Sequence, residues 1–333
     1  MSGMIKYINL LATFASAKIQ FSSDPVNKGI VIKTTGSWHT VKDDSDHINC
    51  RLKGNFRMRG IKTTNPIAVG DAVMYEKTGT HVGIITMILE RKNYIIRRAT
   101  NLAKETQIMA ANIDQVLLMI TLESPETPLE FIDRFLVSAE AYRIPSILVI
   151  NKIDLYQAKT MERCVEIRGI YESAGYRVIE ISVEKQVNIT ELSSQLERKY
   201  TAIAGNSGVG KTSLINLLCP GLNLKTAPIS EYHLSGKHTT TYPEMIELPT
   251  GGFIIDTPGI RGFGVMDINR NEIGLYFTDI FNLSANCRFY NCTHIHEPGC
   301  AVIDACIKGI LHESRYRSYV KLISGEEGKY RLA

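Results

Sequence analysis

The amino-acid sequence predicts a multidomain α/β protein in which a small β-barrel precedes a parallel-sheet domain and a compact, loop-rich C-terminal domain, 266–333. Three patterns predict this arrangement. Short β-rich runs fill the first third of the chain, strands alternate with helical patterns in the middle, and cysteines and histidines cluster near the end. A chain of 333 residues with 44% apolar residues can bury several cores without disulfides.

Residues 1–27 are expected to form a loose N-terminal extension outside the folded domains. Their apolar stretch is interrupted by polar residues and has no basic start, which argues against a secretory signal. One hypothesis is that translation begins near Val26. The apolar runs elsewhere in the chain are far too short to cross a bilayer, so we predict no membrane segment.

Residues 28–105 are predicted to form a small β-barrel. Short β-rich runs follow one another there, each bounded by glycine, proline or other turn residues. The runs are Gly29–Lys33, Ile48–Leu52, Val69–Met74, Gly83–Glu90 and Tyr94–Arg97. Five strands in this length are typical of the OB-fold, a partly open barrel that commonly binds oligonucleotides.

The barrel region is also the basic part of the chain. Residues 28–105 contain 14 Lys and Arg against 7 Asp and Glu, whereas the whole chain has a formal net charge of +4, so the remainder is mildly acidic. This asymmetry favours a polyanionic partner such as RNA, although the same side chains could equally form ordinary barrel surface and core. The candidates for RNA contact are Arg51, Lys53, Arg57, Arg59, Arg97 and Arg98, with Trp38 and Phe56 as stacking groups.

Residues 106–265 are predicted to form an α/β domain with a parallel sheet. Apolar strands alternate there with helical patterns, as in βαβ units, and the carboxyl ends of such strands form a crevice for ligands. The predicted strands cover 116–121, 147–151, 177–182 and 201–205, and the predicted helices cover 129–141 and 160–175.

A glycine-rich loop in this domain matches the P-loop pattern in full. It follows an apolar strand and precedes the helical run Leu214–Leu218, which is the context that the motif requires. Its amides would wrap phosphates, Lys211 would reach the β- and γ-phosphates, and the Thr212 hydroxyl would bind Mg²⁺. The phosphate-binding candidates are Gly205, Asn206, Ser207, Gly208, Val209, Gly210, Lys211, Thr212 and Ser213.

A second motif, Asn151, Lys152, Ile153 and Asp154, indicates which base is bound. It directly follows a predicted strand and resembles the guanine-specificity motif of GTPases. Asp154 would accept hydrogen bonds from guanine, whereas adenine would leave the carboxylate unpaired. Asn151 would brace the pocket and Lys152 would cover the base, while Ser182 stands where a second base-binding loop is expected.

Two further segments resemble elements that sense the γ-phosphate. Asp256 and Gly259 belong to a DTPG sequence after an apolar strand, matching the motif whose Asp holds Mg²⁺ through water. Switch I is expected to contain a threonine, and the candidates are Thr240 and Thr241. Both are also candidate catalytic residues. The base motif precedes the P-loop, the reverse of the usual order. We therefore predict a circularly permuted P-loop GTPase domain, in which the sheet is cut and rejoined without changing the pocket.

Hydrolysis is expected to be slow in the isolated protein. Ile260 stands directly after DTPG, where many GTPases carry a glutamine that orients the attacking water. His238 is therefore the candidate that positions or deprotonates water, with His233 as the alternative. Because DTPG leads towards the C-terminal segment, a further hypothesis is that nucleotide state repositions the C-terminal domain.

The C-terminal domain is predicted to hold one structural Zn²⁺. Cys287, Cys292, His294 and Cys300 offer three thiolates and an imidazole within a short segment, with His296 as an alternative ligand. Such a closed site stabilises a small loop-rich domain and has no open position for catalysis. The seven cysteines, an odd count, fit a reduced cytoplasmic protein better than a disulfide framework.

Together these features resemble one known family. The features are the basic barrel, the base motif ahead of the P-loop, the GKHTTT and DTPG sequences and the Cys-x4-Cys-x-His-x5-Cys cluster. With them, residues 28–320 resemble the RsgA (YjeQ) family of small ribosomal subunit biogenesis GTPases. The resemblance implies a cytoplasmic GTPase that contacts the small ribosomal subunit and its rRNA through the barrel and zinc domains, with hydrolysis stimulated by the subunit. We expect a monomer. Thr212 replaces a common serine, and the N-terminal extension has no counterpart in the family.

Two other functions fit parts of the sequence. A nucleotide-gated RNA-binding scaffold would use the same motifs with incidental turnover, so its function would survive loss of hydrolysis. A permuted GTPase acting on the large subunit or in signalling is disfavoured, because the chain pairs an N-terminal OB domain with a C-terminal zinc site.

Overall fold

A computed structural model describes residues 27–44, 46–53, 66–98, 106–224, 243–256 and 268–325, so nearly all of the predicted N-terminal extension lies outside it. Within these ranges the strands are β1 (Asn27–Thr35), β2 (Trp38–Lys42), β3 (His47–Leu52), β4 (Ala72–Gly79), β5 (Val82–Ile88), β6 (Tyr94–Arg98), β7 (Thr106–Ala111), β8 (Gln115–Ile120), β9 (Ser146–Ile150), β10 (Arg177–Glu180), β11 (Tyr200–Ala204), β12 (Glu244–Glu247) and β13 (Phe253–Asp256). The α-helices are α1 (Leu129–Ala141), α2 (Ala158–Ser173), α3 (Ile189–Leu196), α4 (Lys211–Leu218), α5 (Thr278–Ser284), α6 (Ala301–Ile307) and α7 (Glu313–Ser324), and 3₁₀ turns cover Ile153–Leu155 and Arg270–Tyr276.

Strands β1 to β5 form a closed barrel. Their order is β1-β2-β3-β5-β4, and β4 pairs again with β1, so the sheet closes on itself. Strands β3 and β5 run parallel, whereas the other pairs are antiparallel. Alternate side chains point inward, and the core includes the fully buried Val31, Val41, Ile48, Tyr75 and Ile85. The barrel therefore has the five-stranded architecture of the OB-fold, as predicted.

The membership of the barrel differs from the prediction in two strands. Strand β2 belongs to it although the sequence pattern did not indicate a strand there. Its inward positions are His39 and Val41, and a histidine on the buried face hides the apolar alternation that identifies a strand. Strand β6, predicted as the fifth barrel strand, instead pairs with β7, and its Ile95 packs into the core of the next domain. The predicted division at residue 105 thus falls between two paired strands.

The second domain is a sheet covered by helices on both faces. Its strand order is β10-β9-β8-β11-β13-β12; the first five are parallel and β12 is antiparallel to β13. Every residue of β8 is buried, as expected for a central strand covered on both sides. Val116 and Leu118 pack with α1 and α2 on one face, whereas Leu117 and Met119 pack with α3 and α4 on the other. The predicted parallel α/β domain is confirmed.

The barrel joins this sheet through its first strand. Strand β1 pairs antiparallel with β12, with Lys33 opposite Glu244, so the barrel and the domain share one 11-stranded sheet. Two ion pairs lie along the junction: Lys33 Nζ is 2.9 Å from Glu244, and Lys42 Nζ is 2.5 Å from Glu247. The orientation of the barrel is therefore set by backbone pairing at the edge of the parallel sheet.

The C-terminal region is a small helical domain built from the second 3₁₀ turn and helices α5, α6 and α7. Its core contains the buried Ile273, Phe277, Val302 and Tyr319, together with Val137 contributed by α1 of the preceding domain. In the part of the chain that the structure describes, no helix combines the length and apolar character needed to span a lipid bilayer.

Candidate functional site

The P-loop connects strand β11 to helix α4. Gly205 and Gly210 adopt φ values of 136° and 100°, which residues with side chains rarely reach. A Cβ atom at Gly205 would overlap the Met119 carbonyl oxygen, and one at Gly210 would overlap the Asn151 amide nitrogen. Glycine at both positions lets the loop curl tightly at the start of α4, where free backbone amides can receive an anion.

Lys211 begins helix α4 and folds back over the loop. Its Nζ donates hydrogen bonds to the carbonyl oxygens of Gly205 and Asn206 at 2.8 and 2.7 Å. An ammonium held by neutral carbonyls can exchange these bonds for stronger ones to phosphate oxygens. The candidate Mg²⁺ ligand Thr212 follows on the same turn of the helix.

The base motif makes a sharp turn after strand β9. Lys152 has a φ of 68°, and its Nζ donates a hydrogen bond to the Ser124 carbonyl oxygen at 2.6 Å. Burial lowers the pKa of Lys152, against the opposing effect of the Asp154 carboxylate. Asp154 is exposed, and its carboxylate accepts a hydrogen bond from the buried Ser182 hydroxyl. A carboxylate at this rim is an acceptor-only group, suited to the paired donors on a guanine edge.

Asn151 ties the base motif to two other loops. Its side-chain amide donates to the Val209 carbonyl oxygen of the P-loop at 2.8 Å, and its carbonyl oxygen accepts from the Val183 amide at 3.2 Å. The Asn151 backbone carbonyl accepts from the Tyr156 hydroxyl at 2.7 Å, and that hydroxyl accepts from the Leu122 amide at 2.8 Å. Phosphate loop, base motif and the Ser182 loop therefore form one connected unit.

Asp256 ends strand β13 beside the P-loop strand. In the parallel register it lies opposite Ile203 of β11, one residue before that strand ends. Because both strands end at the same edge of the sheet, the Asp256 carboxylate and the start of α4 lie at one crevice. A hydroxyl from Thr212 and a carboxylate from Asp256 are oxygen ligands of the type that Mg²⁺ prefers, so the residues present fit that ion.

Several predicted residues lie outside the described ranges. They are the switch threonines Thr240 and Thr241, the histidines His238 and His233, and Gly259 of the DTPG sequence. Their roles remain predictions from the sequence.

Four predicted metal ligands come together in the C-terminal domain. The ligand atoms of Cys287, Cys292, His294 and Cys300 all lie within 4.8 Å of one another. The Sγ atoms of Cys287 and Cys300 are 3.9 Å apart, and His294 Nδ1 lies 3.6 and 3.4 Å from them. Tetrahedral Zn²⁺ with bonds of about 2.3 Å to sulfur requires sulfurs about 3.8 Å apart, so this donor set fits the ion. His296, the alternative ligand, is exposed and is not in the cluster.

The ligand loop is shaped by groups that the sequence analysis missed. The Glu297 carboxylate accepts hydrogen bonds from the Thr293 and Ile295 amides at 2.8 and 3.1 Å. The Tyr316 hydroxyl of α7 donates to the His294 carbonyl oxygen at 2.8 Å, which helps to hold His294 at its φ of 58°. Such contacts fix the orientation of ligands around a metal.

The other cysteines are separate from the cluster, as predicted. Cys50, Cys164 and Cys219 are buried in three different parts of the fold, and burial raises the pKa of Cys50 to about 11 and of Cys164 to about 12. Cys306 is partly buried on α6. These thiols behave as small apolar groups at neutral pH.

Only part of the predicted RNA surface lies among the described residues. The Arg51 guanidinium stacks over the half-exposed Trp38 ring at 4.1 Å from its centroid, so the two form one cationic and aromatic platform on the barrel. Lys53 follows β3 and is exposed. The remaining candidates fall outside the described side chains: Phe56, Arg57, Arg59, Arg97 and Arg98.

Comparison with known proteins agrees with this geometry. The family profile described as RsgA GTPase matches residues 88–266, and the one described as RsgA N-terminal domain matches residues 28–85. The chain is 50% identical over 308 residues to the small ribosomal subunit biogenesis GTPase RsgA 2 of Bacteroides thetaiotaomicron, covering 92% of this chain and 99% of that protein. A relative from Flavobacterium psychrophilum, named small ribosomal subunit biogenesis GTPase RsgA, is 48% identical over 307 residues, covering 91% and 94% of the two chains.

Solved structures show the same architecture. The crystal structure of YjeQ from Thermotoga maritima matches with a TM-score of 0.75 and 36% identity, over 92% of this chain and 100% of that one. The structure of YloQ, described as a circularly permuted GTPase, matches with a TM-score of 0.73 and 31% identity, over 93% and 99%. With its OB barrel, its permuted nucleotide site and its Cys₃His cluster, this chain belongs to the RsgA GTPase family.

Proposed function

We propose that this chain is a GTP hydrolase that binds the small ribosomal subunit and assists its late maturation. One observation carries the proposal. Asn151 joins a guanine-type base motif to a P-loop in a permuted domain. The 50% identity over 308 residues to a protein named small ribosomal subunit biogenesis GTPase RsgA 2 supports the choice of partner. A fold-level likeness alone would not specify this function.

In this proposal the P-loop and the base motif divide the recognition of GTP. Amides of residues 205–213 and the Lys211 ammonium bind the phosphates, and Asp154 accepts hydrogen bonds from guanine, with Ser182 orienting the carboxylate. Lys152 covers the base with its aliphatic stem, while Ile153 supports the turn. Thr212 and Asp256 would hold Mg²⁺, which offsets charge on the phosphate oxygens when bound.

Hydrolysis depends on residues supplied by the switch segments. Thr240, Thr241 and the Gly259 amide would sense the γ-phosphate, and His238 would position or deprotonate water. Because Ile260 cannot orient water, turnover by the free protein is slow and rises when a partner places a catalytic group beside the γ-phosphate.

The remaining domains provide contact with the partner. The basic barrel, with its platform of Arg51 on Trp38, would bind rRNA, and the zinc-supported domain would provide a second contact. We propose three domains, 28–105, 106–265 and 266–333, and call the second, parallel-sheet domain the nucleotide domain. Strand β6 is moved from the barrel to the nucleotide domain, because it pairs with β7. We propose a cytoplasmic monomer that carries one structural Zn²⁺.

The test is GTP turnover by the purified protein alone, then with isolated small subunits and with isolated large subunits. Strong stimulation by small subunits only supports the proposal, whereas equal or absent stimulation contradicts it. Asp154→Asn serves as the check on base recognition. An amide in place of the carboxylate presents a donor to a guanine donor, so GTP affinity should fall by about tenfold or more while xanthosine triphosphate binding improves.

A nucleotide-gated scaffold is the alternative that the same variants separate. Lys211→Ala removes phosphate binding, and His238→Ala is designed to remove hydrolysis alone. If subunit maturation in cells requires Lys211 but survives His238→Ala despite abolished turnover, the scaffold function replaces the hydrolase proposed here.

A further inference from the structure

A buried cluster of charges lies between the C-terminal domain and the nucleotide domain. Arg315 of α7 is 1% exposed and pairs in two directions. Its Nη1 lies 2.7 Å from the Asp133 carboxylate on α1 of the nucleotide domain. Its Nε and Nη2 donate to the two Asp279 oxygens at 2.8 and 3.0 Å, within its own domain. We call Arg315, Asp133 and Asp279 the Arg315 cluster.

Aromatic rings from both domains enclose the guanidinium. Phe277 of the C-terminal domain lies 4.7 Å from it, and Tyr171 of the nucleotide domain lies 5.6 Å away. The Tyr171 hydroxyl also donates to Asp133 at 2.9 Å. Burial alone would favour the neutral form, but the Asp133 and Asp279 carboxylates raise the pKa of Arg315 further above its usual value. The cation is therefore retained inside the interface.

Val137 of α1 packs into the C-terminal core, and the buried Ser318 side chain of α7 also hydrogen-bonds Asp133. Three further polar contacts between the two domains are weaker. Lys321 to Glu130 at 2.8 Å is an exposed ion pair, which water and salt screen. A 3.5 Å contact joins His312 to Glu166, also near the surface. The Thr278 hydroxyl donates to the Ala174 carbonyl oxygen at 2.6 Å. Removing one partner of a buried pair is far more costly than losing an exposed one, so the Arg315 cluster is the strongest ionic contact between the two domains.

Helices α7 and α1 connect the metal loop, residues 287–300, to the base motif. On α7, the residues Tyr316 and Tyr319 donate from their hydroxyls to the backbone of the metal loop, at the His294 and Thr293 carbonyl oxygens. On the other side, α1 follows the loop whose Ser124 carbonyl oxygen receives Lys152 Nζ. Pairing of Arg315 with Asp133 thus fixes the metal loop relative to the guanine-binding end of the nucleotide domain.

We propose that Arg315 is a positioning residue that, through Asp133, holds the zinc-binding domain as one rigid body with the nucleotide domain in every nucleotide state, and that small-subunit-stimulated GTP hydrolysis requires this fixed placement. The proposal rests on the proposed function. Two contact surfaces held in one rigid body engage a partner together at a high effective concentration, whereas a loosely tethered surface engages it independently.

The hypothesis from the sequence, that nucleotide state repositions the C-terminal domain, predicts a movable interface instead of a fixed one. If nucleotide state repositions the C-terminal domain, the interface around α7 should open in one state. Backbone amides of α1 and α7 would then exchange hydrogen at different rates in the GDP and GTP-analogue forms. If the Arg315 cluster fixes the domain, the amides of α1 and α7 should be equally protected from hydrogen exchange in the GDP and GTP-analogue forms of the wild-type protein.

The test compares the two carboxylates that share the cation. Asp133→Asn removes the charge across the interface and leaves Arg315 paired with Asp279 within its own domain. Asp279→Asn removes the charge within the C-terminal domain and leaves Arg315 paired with Asp133 across the interface. Arg317→Met, on the exposed face of α7 where Arg317 pairs with Glu313, is the matched surface control. Arg315→Met would leave the buried Asp133 carboxylate without its cation and can fail to fold, so the test uses the two Asp→Asn variants.

For Asp133→Asn, the small-subunit concentration giving half-maximal stimulation should rise by about tenfold or more. Its KM for GTP, unstimulated rate and zinc content should stay at wild-type values, and hydrogen exchange should accelerate in α7. Asp279→Asn and Arg317→Met should each shift that concentration by less than about threefold. These differences would not arise from a general loss of stability.

Equal effects of Asp133→Asn and Asp279→Asn would overturn the proposal. Nucleotide-dependent exchange of α7 in the wild-type protein would overturn it as well. If small subunits fail to stimulate even the wild-type protein, the proposed function fails, while the exchange measurements still decide whether Asp133 fixes the domain.

Discussion

The side-chain amide of Asn151 donates a hydrogen bond to the carbonyl oxygen of Val209 at 2.8 Å, so the base motif and the P-loop are braced against each other by the protein itself. Asn151 is 2% exposed, and its side-chain carbonyl oxygen accepts a hydrogen bond from the Val183 amide. Recognition of the base and of the phosphates is therefore coupled through one buried side chain.

Asn151→Ala should weaken guanine-nucleotide binding by about tenfold or more, because it leaves buried polar groups of two loops unpaired. Asn216→Ala is the matched control. The Asn216 side chain likewise donates to and accepts from backbone groups, both of Leu224, but it lies away from the base motif. Equilibrium binding of a fluorescent GDP analogue measures both variants. Equal loss of affinity in the two variants would refute the bracing role.

Removing the metal should unfold the C-terminal domain and spare the nucleotide site. Three of the four ligands pack against the core of that small domain, whereas the P-loop and base motif lie in the other domain. Cys292→Ser should lower zinc content well below one ion per chain while GDP binding persists.

Cys306→Ser is its matched control, since Cys306 lies in the same domain and outside the cluster. It should retain full zinc content. Elemental analysis and thermal unfolding with and without a chelator provide the measurements, and normal zinc content in Cys292→Ser would contradict the assignment.

The barrel should depend on the buried ion pair of Arg91 with Asp71. Their side chains are 7% and 0% exposed, and Nε lies 2.6 Å from the carboxylate. Arg91→Met leaves the Asp71 carboxylate without its charged partner and should lower the free energy of unfolding by about 3 kcal/mol. Lys92→Met, which removes the neighbouring exposed pair with Asp114, should cost less than about 1 kcal/mol. Denaturant unfolding measures both, and similar values would contradict the prediction.

Barrel stability should fall at mildly acidic pH because of His39. Burial lowers the pKa of this 2% exposed imidazole, so the folded barrel binds its proton less readily than the unfolded chain does. Stability is then fully present above the unfolded pKa of about 6.5 and decreases as pH falls below it, by at most about 1.4 kcal/mol per pH unit.

The comparison of His39→Gln with His47→Gln isolates this effect. His47 is exposed on β3, so His47→Gln is the matched control, whereas His39→Gln should flatten the pH dependence of stability. Unfolding free energies at several pH values between 5 and 8 provide the measurement. An unchanged slope in His39→Gln would show that another group is responsible.

The sequence predicted most reliably the features that are local in the chain. The P-loop, the base motif and the metal ligands are each short segments whose spacing reflects the geometry of phosphate, guanine or a tetrahedral ion. Helix α1 matches its predicted range of 129–141, and the ends of α2 differ by two residues, because amphipathic periodicity is also a local signal.

Long-range pairings could not be predicted in the same way. Arg315 lies in a charged, helical stretch that indicates a solvated face, and its partner Asp133 is 182 residues away in the chain. Likewise, no local pattern distinguishes whether β6 closes the barrel or pairs with β7. Such choices depend on which buried surfaces meet in the folded chain, and that information is distributed over both partners.

The pairing of β12 with β1 has a consequence for folding in the cell. Strand β12 is the outer strand of the parallel-sheet domain, and its free side is the row of backbone groups that β1 occupies. An uncovered sheet edge is a template for pairing with other chains. By covering part of that edge, β1 limits pairing with other chains. Because the barrel is made first during translation, β1 is present before the strand edge that it covers.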